Sequence, residues 1–226
     1  MRGLFVTATD TAAGKTVLTA ALLGAMTAAG ERVQAHKPVV TGLDDPDGDW
    51  PADHELLASI TGQSAEDVAP LRYGPAVSPH LAAELAGEQI QAEQVIERVR
   101  LRAASGTVIV EGVGGLLVPL GSDFTVCDLA VELKLPILIA ARPGLGTINH
   151  TLLTLRVARA AGLDVRAVVL TPWPLEPTRM QRSNSETIAR LGGVEVVGLT
   201  SVASPERAEF ASAGAGLPWR RWLSDS

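Results

Sequence analysis

Leu4-Phe5-Val6-Thr7 runs straight into Ala8-Thr9-Asp10-Thr11-Ala12-Ala13-Gly14-Lys15-Thr16, and a helix-compatible segment, Thr16–Ala29, follows. An apolar strand, a turn of small residues closed by Gly-Lys-Thr, and then a helix is the order that a phosphate-binding loop requires. Backbone N–H groups from Ala12 through Ala13, Gly14 and Thr16 to Val17 would surround a phosphate at the helix start. Lys15 would neutralise it, and the Thr16 hydroxyl would hold Mg²⁺. The usual pattern opens with glycine where this chain has Thr9. A chance Gly-Lys-Thr at a helix start is the competing reading, but its place at the end of the first strand favours phosphate binding.

Outward from that loop the same alternation repeats. Further strand-like runs lie at Val33–His36, Val108–Val110, Ile137–Ala140, Val165–Leu170 and Val194–Leu199. They are continuously apolar, as expected of parallel strands covered on both faces. Gln91–Ala104, Thr147–Ala161 and Thr178–Leu191 have helical length and composition, and Gly30 and Gly162 stand where helix C-terminal glycines belong. Strand, helix, strand in repetition predicts an α/β fold of the P-loop NTPase type. One doubly wound, mostly parallel sheet with helices on both faces would span residues 1–226 as a single domain. Two stretches break the alternation. Thr41–Ala52, rich in Asp, Gly and Pro, reads as a surface loop. Thr171–Pro177 carries three prolines, through which neither helix nor central strand is expected to continue. Both follow a predicted strand, where ligands of open α/β sheets bind.

Composition narrows the partners. The 226 residues are 46% hydrophobic and 19% charged, ordinary for a globular chain with a core. A net charge of −6 argues against nucleic acid and anionic membrane, which need a positive patch, but leaves a local phosphate site open. Cys127 is the only cysteine, so an internal disulfide and a Cys-rich zinc site are excluded, and a reducing compartment fits. His36, His54, His80 and His150 share no metal-ligand spacing and read as core or surface residues. Asp10 and Lys15 interrupt the N-terminal apolar run too early for a signal peptide. No stretch reaches the ~18 apolar residues that span a bilayer. A soluble, cytoplasmic protein is expected.

A P-loop needs a second acid for its metal. Thr107-Val108-Ile109-Val110-Glu111 ends in one, and Gly112-Val113-Gly114-Gly115 follows. An acid at the tip of a buried strand would face the ligand, with the glycines letting backbone approach the nucleotide closely. Gly144-x-Gly146 also follows a strand, but Asn149 occupies the third glycine position, which argues against a dinucleotide fingerprint.

Five blocks occur in one order: Thr9-Asp10-Thr11-x-x-Gly-Lys-Thr16, Lys37-Pro38-Val39-Val40-Thr41-Gly42, Ser78-Pro79-His80, Val110-Glu111-Gly112-x-Gly114-Gly115 and Gly146-Thr147-Ile148-Asn149-His150. Together they resemble dethiobiotin synthetase, a Mg²⁺- and ATP-dependent cyclo-ligase of biotin biosynthesis. The resemblance runs to about Leu199, and the tail Ser201–Ser226 matches poorly. It implies that CO₂ adds to one amine of 7,8-diaminopelargonate and that ATP phosphorylates the resulting carbamate. The second amine then closes a cyclic urea. Such a site brings two anions together. Lys15 and Lys37 would offset them, Lys37 at the end of the second strand, expected beside the first. A strand-end lysine reaching solvent is the alternative for Lys37. The resemblance further implies that Thr11 and Thr41 contact the diamine or its carbamate. Thr16, Asp53 and Glu111 would hold Mg²⁺. Asp44, Asp45, Asp47 and Asp49 crowd the same loop as Asp53, whose other reading is a helix cap. Gly146, Thr147, Ile148, Asn149 and His150 would bind the substrate carboxylate across a homodimer interface, with a plain helix start capped by Thr147 as the other reading. Glu111, Gly112, Val113 and Gly114 would border the nucleotide.

Ala8 stands where the family usually starts its loop with glycine, so either the loop needs no positive φ there or the backbone shifts. Where the family often reads adenine with Asn-Asp, this chain has Thr171-Pro172. Backbone of Ser201, Val202 and Ala203 would then supply base contacts, and other nucleoside triphosphates than ATP become acceptable. Trp173 either stacks on a base or packs on its own domain, and Trp219 and Trp222 dock the tail to the domain or a partner. A MinD- or ParA-like ATPase switch and a cobyrinate-type synthetase share this loop class. The first usually shows an early second lysine, where Thr9 and Asp10 stand here, and the second carries a glutaminase domain for which the chain is too short.

Overall fold

β1 (Gly3–Ala8) is buried at every position, so it can only lie inside a sheet covered on both faces. The computed structural model describes residues 1–45 and 50–224. After β1 come α1 (Lys15–Ala28), β2 (Val33–His36), β3 (Val39–Val40), α2 (Asp53–Thr61), α3 (Ala65–Val68), β4 (Leu71–Arg72) and α4 (Pro79–Leu85). Then follow α5 (Ala92–Ala103), β5 (Thr107–Gly115), α6 (Val126–Leu133), β6 (Ile137–Ala141) and α7 (Thr147–Ala160). The chain closes with β7 (Val165–Trp173), α8 (Arg179–Gly192), β8 (Glu195–Thr200), α9 (Arg207–Gly214) and α10 (Trp219–Leu223).

Six strands form one parallel sheet in the order β2-β5-β1-β6-β7-β8. β3 and β4 make a separate parallel pair. One core packs Leu18, Leu22 and Met26 of α1 with Leu57 of α2 and Phe210 of α9. The other packs Val99 of α5, Leu129 of α6, Leu155 of α7 and Ile188 of α8 on the opposite face. The doubly wound α/β architecture expected from the alternation is therefore present. Gly30 and Gly162 each follow a helix in the left-handed region, as their places in the sequence implied.

Several local expectations need correction. β2 does not lie beside β1, because β5 intervenes and pairs with both. Apolar periodicity sets which runs are strands but carries no information on their order. Glu111 is not at a strand tip: β5 continues through Gly115, pairing Val6 with Glu111 and, after a register shift, Ala8 with Gly115. β7 runs on through Thr171-Pro172 to Trp173. β6 stops pairing at Leu170, and the register with β8 shifts between Leu170 and Trp173, so the missing N–H of Pro172 falls where the ladder is already interrupted. Trp173 packs on its own domain: a Cβ on Gly198 would lie 2.4 Å from its ring. Within the loop expected at Thr41–Ala52, residues 46–49, including Asp47 and Asp49, lie outside the described residues.

The tail belongs to the fold. Phe210 is fully buried against α1 and meets Trp50 edge-on at 5.8 Å between ring centroids. The Trp222 indole donates to Glu195 at 2.9 Å, fastening α10 to β8, and Trp219 is also buried. Among the described residues no helix is long and apolar enough to cross a membrane.

Candidate active site

The turn after β1 bends tightly without using Ala8, whose φ is not positive; Ala12 and Gly14 take the left-handed region instead, at φ 54° and 87°. Gly14 is the residue that caps α1, and a Cβ there would lie 2.3 Å from the Thr171 methyl. The position therefore excludes other side chains twice over, by backbone conformation and by space. The Thr11 N–H donates to the Asp10 carboxylate at 2.7 Å, and Arg142, at the end of the neighbouring β6, approaches that carboxylate at 3.6 Å. No side chain caps α1, so the first N–H groups of this helix point into the loop that Lys15 overhangs. Lys15 is buried and has no carboxylate partner within ion-pair distance among the described residues. Burial pulls its ammonium below the ordinary lysine value, against the opposing pull of Glu111. A phosphate would relieve that.

The second lysine lies two strands away. His36 is in register with Val110, so Lys37, the next residue, reaches Glu111 on the adjacent β5. Its ammonium donates to Glu111 Oε1 at 2.7 Å and also binds Asp53, the first residue of α2. The Thr16 hydroxyl donates to the same Glu111 oxygen at 2.8 Å. Burial opposes the charge on Lys37, but the Glu111 and Asp53 carboxylates outweigh it and hold its ammonium above the ordinary lysine range. Burial likewise opposes ionisation of Asp53, but Lys37, helped by the Thr16 hydroxyl, holds its carboxyl below the usual range. Asp53 is not a cap, since Ala52 occupies that position and the Asp53 carboxylate turns to Lys37. Lys37 is not a solvent-seeking strand end either, with a side chain only 6% exposed.

Thr16, Glu111 and Asp53 thus gather three hard oxygen donors around the Lys37 ammonium. Glu111 Oε2 is buried without a hydrogen-bond partner, an orphaned acceptor that a cation would satisfy. No group of three or more His, Cys, Asp or Glu suited to a metal occurs among the described residues. Mg²⁺ needs none, since it is commonly held by one or two carboxylates with substrate phosphates and water. The residues fit that ion.

The other predicted residues are distributed unevenly. Gly114, at φ 59°, lies beside the Thr11 side chain, which brings the glycine block against the phosphate loop. Thr41 is half-buried after β3, with no side-chain hydrogen bond to the cluster. Ser78 and Pro79 start α4, and Ser78 Oγ lies 3.0 Å from His80 Nδ1 at the surface. Gly146, at φ 91°, caps α7, so Thr147 is not the cap; it is buried within the helix, 3.5 Å from the Thr151 hydroxyl. Asn149 and His150 are exposed, as is Leu145, at 96%. Thr171 is buried beneath the phosphate loop, while Ser201, Val202 and Ala203 follow the neighbouring β8. Sequence reasoning missed Arg142 and Asn184. The latter is a buried helix residue whose amide donates to the Pro143 and Gly144 carbonyls at 3.1 and 3.2 Å, bracing the turn into α7. A lone amide on the apolar face of a helix is the signal that marks it.

The chain matches the family model described as an AAA domain over residues 2–202. It is 37% identical over 203 residues to the ATP-dependent dethiobiotin synthetase of Bacillus subtilis, covering 88% of this chain and 87% of that one. Against the enzyme of the same name from Anaeromyxobacter dehalogenans it is 43% identical, covering 84% and 86%. This chain belongs to the dethiobiotin synthetase family. The Rhodococcus jostii member is 40% identical over 99% of this chain and 97% of its own, so likeness within the family extends into the tail. Among solved structures, a ParA family ATPase from Chlorobium tepidum superposes with a TM-score of 0.56 at 12% identity, covering 99% and 94%. The cell-division ATPase MinD of Pyrococcus furiosus gives 0.54 at 16%, covering 95% and 89%. At such identities the likeness is one of fold alone. These ATPases share with this chain the architecture of the sheet and its helices.

Proposed function

We propose that this protein makes dethiobiotin from 7,8-diaminopelargonate, CO₂ and a nucleoside triphosphate. The observation that carries the reading is the pair of buried lysines, one in a phosphate loop with no carboxylate partner among the described residues and one clamped by two carboxylates, in a chain of this family. One substrate amine adds to CO₂ and loses a proton, giving a carbamate. A carbamate oxygen attacks the γ-phosphorus and the nucleoside diphosphate leaves. The second amine then attacks the carbamoyl carbon, closing the urea and releasing inorganic phosphate. Lys15 balances charge on the triphosphate. Lys37 faces the carbamate and the negative charge that develops as the phosphoryl group transfers. Thr11, beside the glycine block, orients the diamine with Thr41. Thr16, Asp53 and Glu111 hold Mg²⁺, which supplies charge neutralisation and phosphate alignment when bound. The nucleotide lies along the loop from Ala12 to Val17, with its base towards Thr171-Pro172 and Ser201–Ala203.

The exposed start of α7 supports a homodimer in which Gly146–His150 of one subunit hold the carboxylate of substrate bound by the other. A buried lone thiol, Cys127, suits a cytoplasmic setting. The test is product analysis: purified protein with diaminopelargonate, bicarbonate, Mg²⁺ and ATP should yield dethiobiotin. Triphosphate hydrolysis that proceeds equally without the diamine, with no cyclic urea formed, would refute the reading in favour of an ATPase.

A further inference from the structure

His36 ends β2, and its side chain leaves the sheet on the face opposite to that of Lys37. The residue is 1% exposed, and neither ring nitrogen makes a hydrogen bond of ordinary geometry among the described residues, although the Asp67 backbone stands near enough to favour its charged form. The ring lines a cavity with Pro38, Gln89, Gln91, Gln94 and Arg98. His36 forms its floor, while the three glutamines and Arg98 are exposed at its rim. Among the described residues Arg98 makes no ion pair. Burial, with Arg102 and Arg98 nearby, pushes the imidazole down to about 4. The ring is therefore neutral near pH 7, with one nitrogen bearing hydrogen and the other bare. The proposed synthetase chemistry uses none of these groups.

An occupant that used both nitrogens would accept a hydrogen bond from one and donate one to the other, and negative charge on it would face Arg98. A fully ionised carboxylate lacks the donor, and water lacks the charge. The cavity, open at its rim, has a volume of about 30 Å³, room for two or three water-sized groups. We propose that the cavity between β2 and α5 binds a small hydrogen-bearing oxyanion, bicarbonate or hydrogen phosphate, between His36 and the Arg98 guanidinium with glutamine amides at the rim.

The test uses the full chain saturated with Mg²⁺ and ADP, so that the phosphate loop is already filled. Imidazole resonances of His36, assigned with a His36→Gln variant, are followed while sodium bicarbonate or sodium phosphate is added, with sodium chloride at matched ionic strength as control. Saturable movement with either oxyanion and none with chloride is expected, and the anion that acts identifies the source. Arg98→Gln, at an exposed position, should weaken the effect about ten-fold, the scale of one charge-assisted contact. The proposal is overturned if neither anion moves the resonances, if chloride moves them equally, or if Arg98→Gln changes nothing. Because the readout is binding at His36 and not turnover, failure of the synthetase reading would leave it untouched.

Discussion

Replacing Lys37 by alanine should remove about 3–5 kcal/mol of folding free energy at neutral pH, the scale for breaking a buried ion pair from one side. Lys37 Nζ lies 2.7 Å from Glu111 Oε1, with the two side chains 6% and 0% exposed. At that separation the attraction is about 6 kcal/mol for an effective dielectric near 20. Desolvation of the pair offsets part of this in the intact protein. In the variant the surviving Glu111 is left inside, with the Thr16 hydroxyl and the more distant Lys15 ammonium to stabilise it. Asp53, whose side chain is 44% exposed, regains water and adds no more than about 1 kcal/mol. Urea denaturation of Lys37→Ala, Glu111→Gln and the double variant forms a cycle. A coupling energy of about 2 kcal/mol or more, with m-values unchanged, is expected because the double variant leaves no buried charge uncompensated. Additive effects, or a Lys37→Ala cost below about 1 kcal/mol, would refute the buried pair. The cycle also bounds the kinetic assignment: a loss of turnover of ~10²–10³ in Lys37→Ala counts as loss of a transition-state donor only where the variant is still folded.

Three further outcomes are expected. Stability should fall on acidification between pH 6.5 and about 4, because His36 is held neutral in the fold and charges more readily when unfolded. The loss is about 3 kcal/mol over that window, followed below about pH 4 by the loss of the Asp53 contribution; His36→Gln should flatten the first step in pH-dependent urea melts. Phe210→Ala should cost about 3–5 kcal/mol by opening a cavity beneath α1 and Trp50, with a red shift of tryptophan emission; an unshifted spectrum and unchanged midpoint would mean that the tail does not dock. Finally, CTP, GTP or UTP should support kcat/KM within about a hundred-fold of ATP, since losing one or two neutral hydrogen bonds to the base removes no more. A preference above about a thousand-fold for ATP would show that the base is read by groups other than Thr171-Pro172.

Most of the fold was legible because it follows from local chemistry. Continuous apolar runs marked every strand of the main sheet, and Gly30 and Gly162 marked helix ends. What escaped depends on partners distant in sequence. Pro172 argued against a strand, and only the interruption of pairing on both sides of β7 shows why it is tolerated. Helices as short as α3 and α10 carry too few turns to display a period. Arg142 and Asn184 became visible only as neighbours of Asp10 and of the turn after β6.

The site was legible as a set of residues but not as a geometry, and the difference lies in β5. With the second strand expected beside the first, Lys37 and Lys15 would have faced each other directly, two cations with nothing between them. Placing β5 between them sets Glu111 in register with Val6 of β1 and one residue beyond the partner of His36 on β2. A single buried carboxylate therefore reaches both the Thr16 hydroxyl and the Lys37 ammonium. It raises the affinity of each lysine for its proton while leaving one oxygen unpartnered. Two lysines can then stay charged within one small site, each facing a different anion. No spacing within the sequence encodes that arrangement, because it arises from the crossover that carries the chain from β2, through the β3–β4 pair, back to the interior of the sheet.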